Sequence, residues 1–394
     1  MIKIIHMECV LKIFIFAYTI YMNQKNMIKF AFSFLVLIFT FNFTFAEGTT
    51  KSNDSETFNP TETAMHHVKD SHQFEIWGDD VTLYLPVILW TDNGLVLFSS
   101  KEFKGNDDGE VVVEKNGMRF IKFHEKIYYA NTKKNASGEY ITESSQIVHL
   151  DDQHHPINKA PWDFSITKNI FSMWLSLGIL LIVFISAARY YKSKSYTGVP
   201  KGVAAVVEPL IVFVRDEIAI PNIGEKKYKK YMPYLLTVFF FIWLNNVMGL
   251  IPFFPFGANL TGNIAVTFTL AVITFIITNI SGNKNYWKHI FWTPGVPVPM
   301  KLFLAPIEVI GIFTKPFSLM VRLFANITAG HIIIISLVSL IFIFKSYFVA
   351  PVSIIAVVFI SVIEILVTAL QAYIFTTLSA LYFGMATEDN HEEH

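Results

Sequence analysis

Arg322 sits in the stretch Leu319-Met320-Val321-Arg322-Leu323-Phe324, with long apolar runs on both sides. A guanidinium does not deprotonate in proteins, so Arg322 cannot relay a proton at any working pH. It can instead attract a passing carboxylate, release that carboxylate's proton, and block protons from leaking straight across. Groups of the opposite character flank it. Glu308, His331 and Glu364 titrate, whereas Asn326 and Gln371 hydrogen-bond to water or carboxylate without titrating. Histidine titrates near ~6.5 and burial can raise a glutamate toward the same range, so the set is suited to proton exchange.

Helical spacing sorts these residues into faces, at about 100° per residue. Asn326 and Ala329 lie four and seven residues beyond Arg322 and share its face. Ala325 and Ala329 form a small-xxx-small pair, which lets another helix approach closely, although such a pair is also ordinary helix filler. His331 is roughly 180° round and about 13 Å along the axis, so it points away from Arg322. Glu364 and Gln371, seven residues apart, share a face of a later helix. One permanent cation against a close-packed surface, with titratable groups offset from it, suits a proton path that must be interrupted. Lys315, beside Pro316, reads equally as a charge snorkelling from an interface.

The elements that must position these residues follow from composition. Of 394 residues, 53% are hydrophobic and 16% charged, and Phe occurs 38 times. The apolar residues fall in runs of about twenty, the length that crosses a ~30 Å hydrocarbon core. A charge at mid-bilayer costs at least ~2.5–3.5 kcal/mol, which makes intramembrane charges functional candidates. The expected fold class is an α-helical polytopic membrane protein with about five membrane-embedded helices, the last two long. The spans are expected at Ile166–Tyr190, Tyr231–Phe253, Asn263–Ile280, Val298–Phe344 and Ala350–Met385. Val203–Val214, interrupted by Glu208-Pro209, reads as an interfacial or hairpin segment. The formal net charge of zero gives no general attraction to nucleic acid.

Residues 1–46 read as a targeting region. Met27-Ile28-Lys29, the apolar run Phe30–Phe45 and Ala46 form a signal-peptide pattern, with Met22 and Met27 as alternative starts and a retained anchor helix as the other reading. Residues 47–160 are polar, with turn sequences at 105–109 and 135–138. Short β-branched and aromatic runs at Val81–Leu89, Leu95–Ser99, Gly109–Val113 and Arg119–Phe123 predict a small β-rich domain. Its histidines, His66, His67, His72, His124, His149, His154 and His155, have no known metal-ligand spacing and read as solvated surface residues. The single cysteine, Cys9, excludes an intrachain disulfide and a thiolate cluster.

Basic clusters at 189–201, 225–230 and 284–288 should be cytoplasmic, whereas the connections at 253–262 and 345–350 carry no basic residue and only Lys345, respectively. Five spans then place the β-rich domain outside, as the signal-peptide pattern independently requires, and the acidic C-terminus inside.

Three motifs in order resemble the subunit a family of F-type ATP synthases. Lys315-Pro316-Phe317-Ser318-Leu319-Met320-Val321-Arg322-Leu323-Phe324-Ala325-Asn326 is similar to the family's arginine-bearing helix. Glu364-Ile365-Leu366-Val367-Thr368-Ala369-Leu370-Gln371-Ala372-Tyr373-Ile374-Phe375 resembles its last helix, and Asn245-Asn246-Val247-Met248-Gly249-Leu250-Ile251-Pro252 its second span. His67–His72 and Trp77-Gly78 are more weakly similar to its N-terminal segment. The likeness covers residues 161–390. It implies a proton-conducting stator subunit in which two aqueous half-channels meet a c ring. Arg322 would be the essential charge at the ring interface. Glu308, Asn326, His331, Glu364 and Gln371 would be the half-channel residues, with His331 and Glu364 exchanging the acid and histidine positions of some members. The implied partners are the c ring, subunit b and the whole complex in a bacterial inner membrane, and the two long helices would lie inclined along the ring. Asn246 stands where many members have an acidic residue, and residues 75–150 have no counterpart in shorter members. That region would shield an outer channel mouth, contact another stator subunit, or be a lineage extension.

No phosphate-binding loop is present, so neither nucleotide hydrolysis by this chain nor any cofactor is expected. A proton-coupled transporter with a sensor domain is the alternative, but it predicts internal repeats, and none are found. A non-transporting scaffold would leave Arg322, Glu364 and Gln371 without purpose in the bilayer. The His331–Glu364 pair favours protons over Na⁺.

Overall fold

The computed structural model describes residues 69–77, 81–130, 156–192, 200–251, 255–292, 297–344 and 348–388. The targeting region, the turn at 135–138, His66, His67, His149, His154, His155 and Lys345 lie outside the described residues. The N-terminal part is β-rich and the remainder helical.

Among the described residues, three small antiparallel sheets form in the N-terminal part. Strands β1 (Gln73–Trp77) and β2 (Val81–Tyr84) pair. Strands β3 (Pro86–Thr91) and β4 (Gly94–Ser99) form a sheet with the short β8 (Trp162–Asp163), in the order β4-β3-β8. The third sheet runs β5 (Val113–Lys115), β6 (Met118–Phe123), β7 (Lys126–Tyr129). Alternate residues Val87, Leu89, Val96 and Phe98 pack with Phe103, Val113, Phe120 and Ile127 into a core joining the second and third sheets. The run expected as one strand at Val81–Leu89 is two, because Leu85 turns inward and its amide donates to the His72 carbonyl. The strand expected at Gly109–Val113 starts only at Val113. Gly109 has a φ of 77° and closes the preceding turn instead. Asn116-Gly117 makes the tight β5–β6 turn with φ of 51° and 74°, the geometry this dipeptide favours.

Among the described residues, eight helices follow. Five are long and apolar enough to cross a membrane: α1 (Lys168–Lys192), α4 (Tyr228–Gly249), α5 (Ile264–Ser281), α7 (Val298–Phe344) and α8 (Val349–Thr387). The segment expected to break at Pro209 does not. Helix α2 (Val203–Phe213) contains Pro209 and runs through a π-helical turn (Val214–Ala219) into α3 (Ile220–Ile223). Proline removes one internal hydrogen bond without obliging a helix to end, and the π turn absorbs an irregular ladder. A short helix, α6 (Lys284–Phe291), was not foreseen.

The helical core gathers Val214, Ile218 and Ala219 of the π turn with Leu235 and Ile242 of α4, Leu319 and Leu323 of α7, and Phe375, Ala380 and Phe383 of α8. Helices α7 and α8 run antiparallel: the Ser353 hydroxyl donates to the Leu337 carbonyl, and the Lys315 ammonium lies 5.8 Å from the Tyr382 ring centre. The C-terminal end of α8 is fastened on several sides. The Lys227 ammonium donates to the Thr387 carbonyl at 2.5 Å, and the Asn283 amide and side chain donate to the Ala386 and Thr387 carbonyls at 2.9 and 3.0 Å. Beside them, Gly384 sits directly on the Asn222 backbone carbonyl, leaving no room for a side chain.

Candidate functional site

Arg322, Ala325, Asn326 and Ala329 are all exposed and occupy one stripe of α7, while Leu319, Met320, Leu323 and Ile327 on the other side are buried. The split follows from the 3.6-residue period, because the larger aliphatic residues take the side that meets α4 and α8. None of the described ion pairs involves Arg322.

His331 lies on the other side of the same helix. Its Nε2 is 4.0 Å from Oε1 of Glu364 on α8, and the Glu364 side chain is 4% exposed. Gly330 allows this approach, since a Cβ there would meet the Glu364 carboxylate. The end of α4 closes in from a third direction, and a Cβ on Gly249 would lie 4.0 Å from His331 Nε2. Gln371 is buried on the Glu364 face of α8. The structure therefore brings His331, Glu364 and Gln371 to the interior, and places Arg322 and Asn326 on the exposed stripe. Glu308 is half-buried fourteen residues before Arg322, about 21 Å along the helix.

Several small polar residues around this pair escaped the reading of the sequence. Thr368, one turn beyond Glu364, is fully buried. Its carbonyl accepts from the Asn246 amide at 3.5 Å, and the Asn246 side-chain oxygen accepts from the Thr261 hydroxyl at 2.5 Å. Asn246 thus bridges α4, the turn at Leu260–Gly262 and α8. On α1, Asn169, Ser172 and Ser176 form a buried polar stripe. Among the described residues, His331 Nε2, both Glu364 oxygens, Asn245 Oδ1, Asn259 Nδ2, Asn169 Oδ1 and Ser172 Oγ are buried without a hydrogen-bond partner. The signal available was spacing: Thr368 and Gln371 follow Glu364 by four and seven, and the α1 residues recur at three and four.

A second buried charge cluster lies in the N-terminal part. His72, expected as a solvated histidine, is 2% exposed. Its Nδ1 is 3.4 Å from Oε2 of Glu125 and its Nε2 3.8 Å from Oδ2 of Asp163. Lys122 approaches Glu125 at 3.3 Å and Asp107 at 3.7 Å. Burial opposes a charge on His72, but the neighbouring carboxylates of Asp163 and Glu125 outweigh that and push it up to about 9. Burial would likewise raise Glu125, yet His72 and Lys122 hold it down at about 2. Glu125 and His124, the two turn residues between β6 and β7, both have positive φ, 60° and 48°. The ion pairs secure a turn that non-glycine residues adopt reluctantly. Nearby, Asp70 accepts from the Thr167 hydroxyl at 2.9 Å and the Asn169 amide at 3.0 Å, capping the start of α1.

Comparison with known proteins bears on both parts. The family model for the ATP synthase A chain matches residues 170–384, and that for Domain of unknown function (DUF8433) matches residues 63–164. An ATP synthase subunit a of Chloroherpeton thalassium is 46% identical over 261 residues, 65% of this chain and 75% of the relative. An ATP synthase subunit a 2 of Chlorobaculum tepidum is 49% identical over 243 residues, 60% of this chain and 67% of the relative. One from Chlorobium phaeobacteroides is 51% identical over 239 residues, 59% and 68%. With exposed Arg322 and interior His331 and Glu364 on the two long helices, and with these relatives, the chain belongs to the ATP synthase subunit a family.

Proposed function

We propose that this chain is the proton-conducting stator subunit of an F-type ATP synthase, and that Arg322 separates two half-channels serving a c ring. The observation that carries this reading is the division of α7. Its exposed stripe pairs a permanent cation with Ala325 and Ala329, small enough for a partner helix to come close. Its other side holds His331 against Glu364, among buried polar atoms that lack protein partners. Such atoms cost about 1–3 kcal/mol each unless hydrated, so they fit the lining of a wet passage.

In this mechanism a ring carboxylate reaching Arg322 is drawn to the guanidinium and gives up its proton. Protons pass between water and the ring through His331, Glu364 and Gln371 in one half-channel, and Glu308 serves the other. Asn326, beside Arg322, hydrogen-bonds the carboxylate or its water without titrating. Arg322 cannot carry a proton, so the halves connect only through ring rotation.

The chain contributes no nucleotide chemistry to the complex. Its c-ring and subunit b contacts, and its place in a bacterial inner membrane, follow from the same reading. Cytoplasmic basic loops put the segment preceding α1 outside and the C-terminus inside. The division is then a targeting region at 1–46, an extracytoplasmic domain at 47–160 and a membrane domain at 161–390.

The test is Arg322→Ala in inverted vesicles, reading ATP-driven acidification and passive leak. Lost pumping with the complex assembled, and an added leak, is the expected result. Normal pumping would overturn the mechanism.

A further inference from the structure

The β4-β3-β8 sheet has two apolar faces, and the family's proton chemistry uses neither. The inner face, Val87, Leu89, Val96 and Phe98, makes the core of the N-terminal part. A sheet with its other face in water alternates apolar with polar residues. Here the outward positions include Ile88, Trp90, Leu95 and Leu97, continued by Trp162 and Phe164, and the pair Pro86 and Ser99 ends the row. The register sets them side by side, with Ile88 opposite Leu97, and Trp90 between Leu95 and Trp162. Trp90 is 57% exposed, Leu97 63% and Trp162 74%.

The place of this face in the chain indicates what covers it. Phe164 precedes the first residue of α1 by four positions, a reach of at most about 14 Å. The Phe164 and Ile166 amides donate to the Ile88 and Pro86 carbonyls at 2.8 and 3.1 Å, so the sheet is bonded to the segment that leads into the span. Helix α1 itself exposes Trp174, Leu177 and Leu181. Tryptophan, with an apolar body and one polar N–H, concentrates where hydrocarbon meets headgroups.

We propose that the outer face of the β4-β3-β8 sheet rests on the lipid surface of the leaflet in which α1 begins, anchoring the N-terminal domain to the bilayer. This inference rests only on α1 crossing the membrane, so it stands or falls separately from the assignment of the proton path.

The test is photocrosslinking in the assembled complex in native membranes. The photoreactive residue p-benzoylphenylalanine replaces Leu97, Trp162 or, as a control in the third sheet, the exposed Glu114. Irradiation is expected to give lipid adducts at the first two positions, at least about five-fold above the control. Adducts to a polypeptide would overturn the proposal in favour of a protein partner, and yields equal to the control would leave the face in water. Should the bulky residue prevent assembly, the conservative pair Trp90→Phe and Trp162→Phe is compared with the unaltered complex in vesicles of brominated phosphatidylcholine. The bromine-quenched fraction of tryptophan fluorescence should fall in the variant. An unchanged fraction would overturn the proposal.

Discussion

Gly330 and Glu364 face each other between α7 and α8 with no space for a side chain: a Cβ on Gly330 would lie 2.7 Å from Oε1 of Glu364. The carboxylate is the flexible partner, so Gly330→Ala should turn it away from His331 rather than separate the helices. Proton pumping in vesicles is expected to fall several-fold with the complex intact. Pumping at the unaltered rate would mean that the placement of Glu364 relative to His331 is unimportant.

Asn246 is the one side chain that both accepts from Thr261 and donates to the Thr368 carbonyl. Asn246→Leu leaves the buried Thr261 hydroxyl unpaired, at a cost of about 1–3 kcal/mol. Asn246→Asp, in its protonated form, keeps the acceptor for Thr261 and offers an O–H to the Thr368 carbonyl, so it should be milder. Thermal inactivation of pumping should rank unaltered, Asp and Leu in that order, and a reversed ranking would discount the bridge.

The His72–Glu125 pair makes the N-terminal domain sensitive to pH at both extremes. His72 is raised from 6.5 to about 9, so its contribution is complete below 6.5 and lost as pH rises through 9. Glu125 is depressed from 4.5 to about 2, so its contribution is complete above 4.5 and lost as pH falls through 2. Protection of the β6–β7 amides in the assembled complex, measured by hydrogen exchange and corrected for intrinsic rates, should be highest between these limits. His72→Gln should abolish the alkaline decline. An unchanged alkaline decline would show that another group controls it.

Asp70 accepts the Asn169 amide that opens α1, a bond a free helix end lacks. Asp70→Ala should cost about 1 kcal/mol, as for other lost caps. Faster hydrogen exchange confined to the first turn of α1 is the expected signature, and unchanged exchange there would count against the cap.

The sequence made the spans legible because twenty apolar residues in a row have few other fates, and their ends needed shifts of only a few residues. Arg322, His331 and Glu364 stood out because charge inside such a run is costly. Thr368 and Gly330 did not, since small residues barely alter hydropathy and take their meaning from a neighbour on another helix. His72 was misread for a related reason. Its partners Glu125 and Asp163 are 53 and 91 residues away, and only the fold brings them together. The face shared by Trp90 and Trp162 was equally hidden, because it arises from strands far apart in the chain.

The bonds at Ala386 and Thr387, with Gly384 seated on the Asn222 backbone, and the Ser353 hydroxyl on the Leu337 carbonyl near the other end, give α8 the mechanics of a beam held at both ends. Glu364 is twenty residues from Gly384, about 30 Å along that beam. A sideways load on α8 bends it least near these two supports and most between them. Glu364 lies between the two supports, so a neighbour that pushes on α8 moves its carboxylate more than it moves either end of the helix.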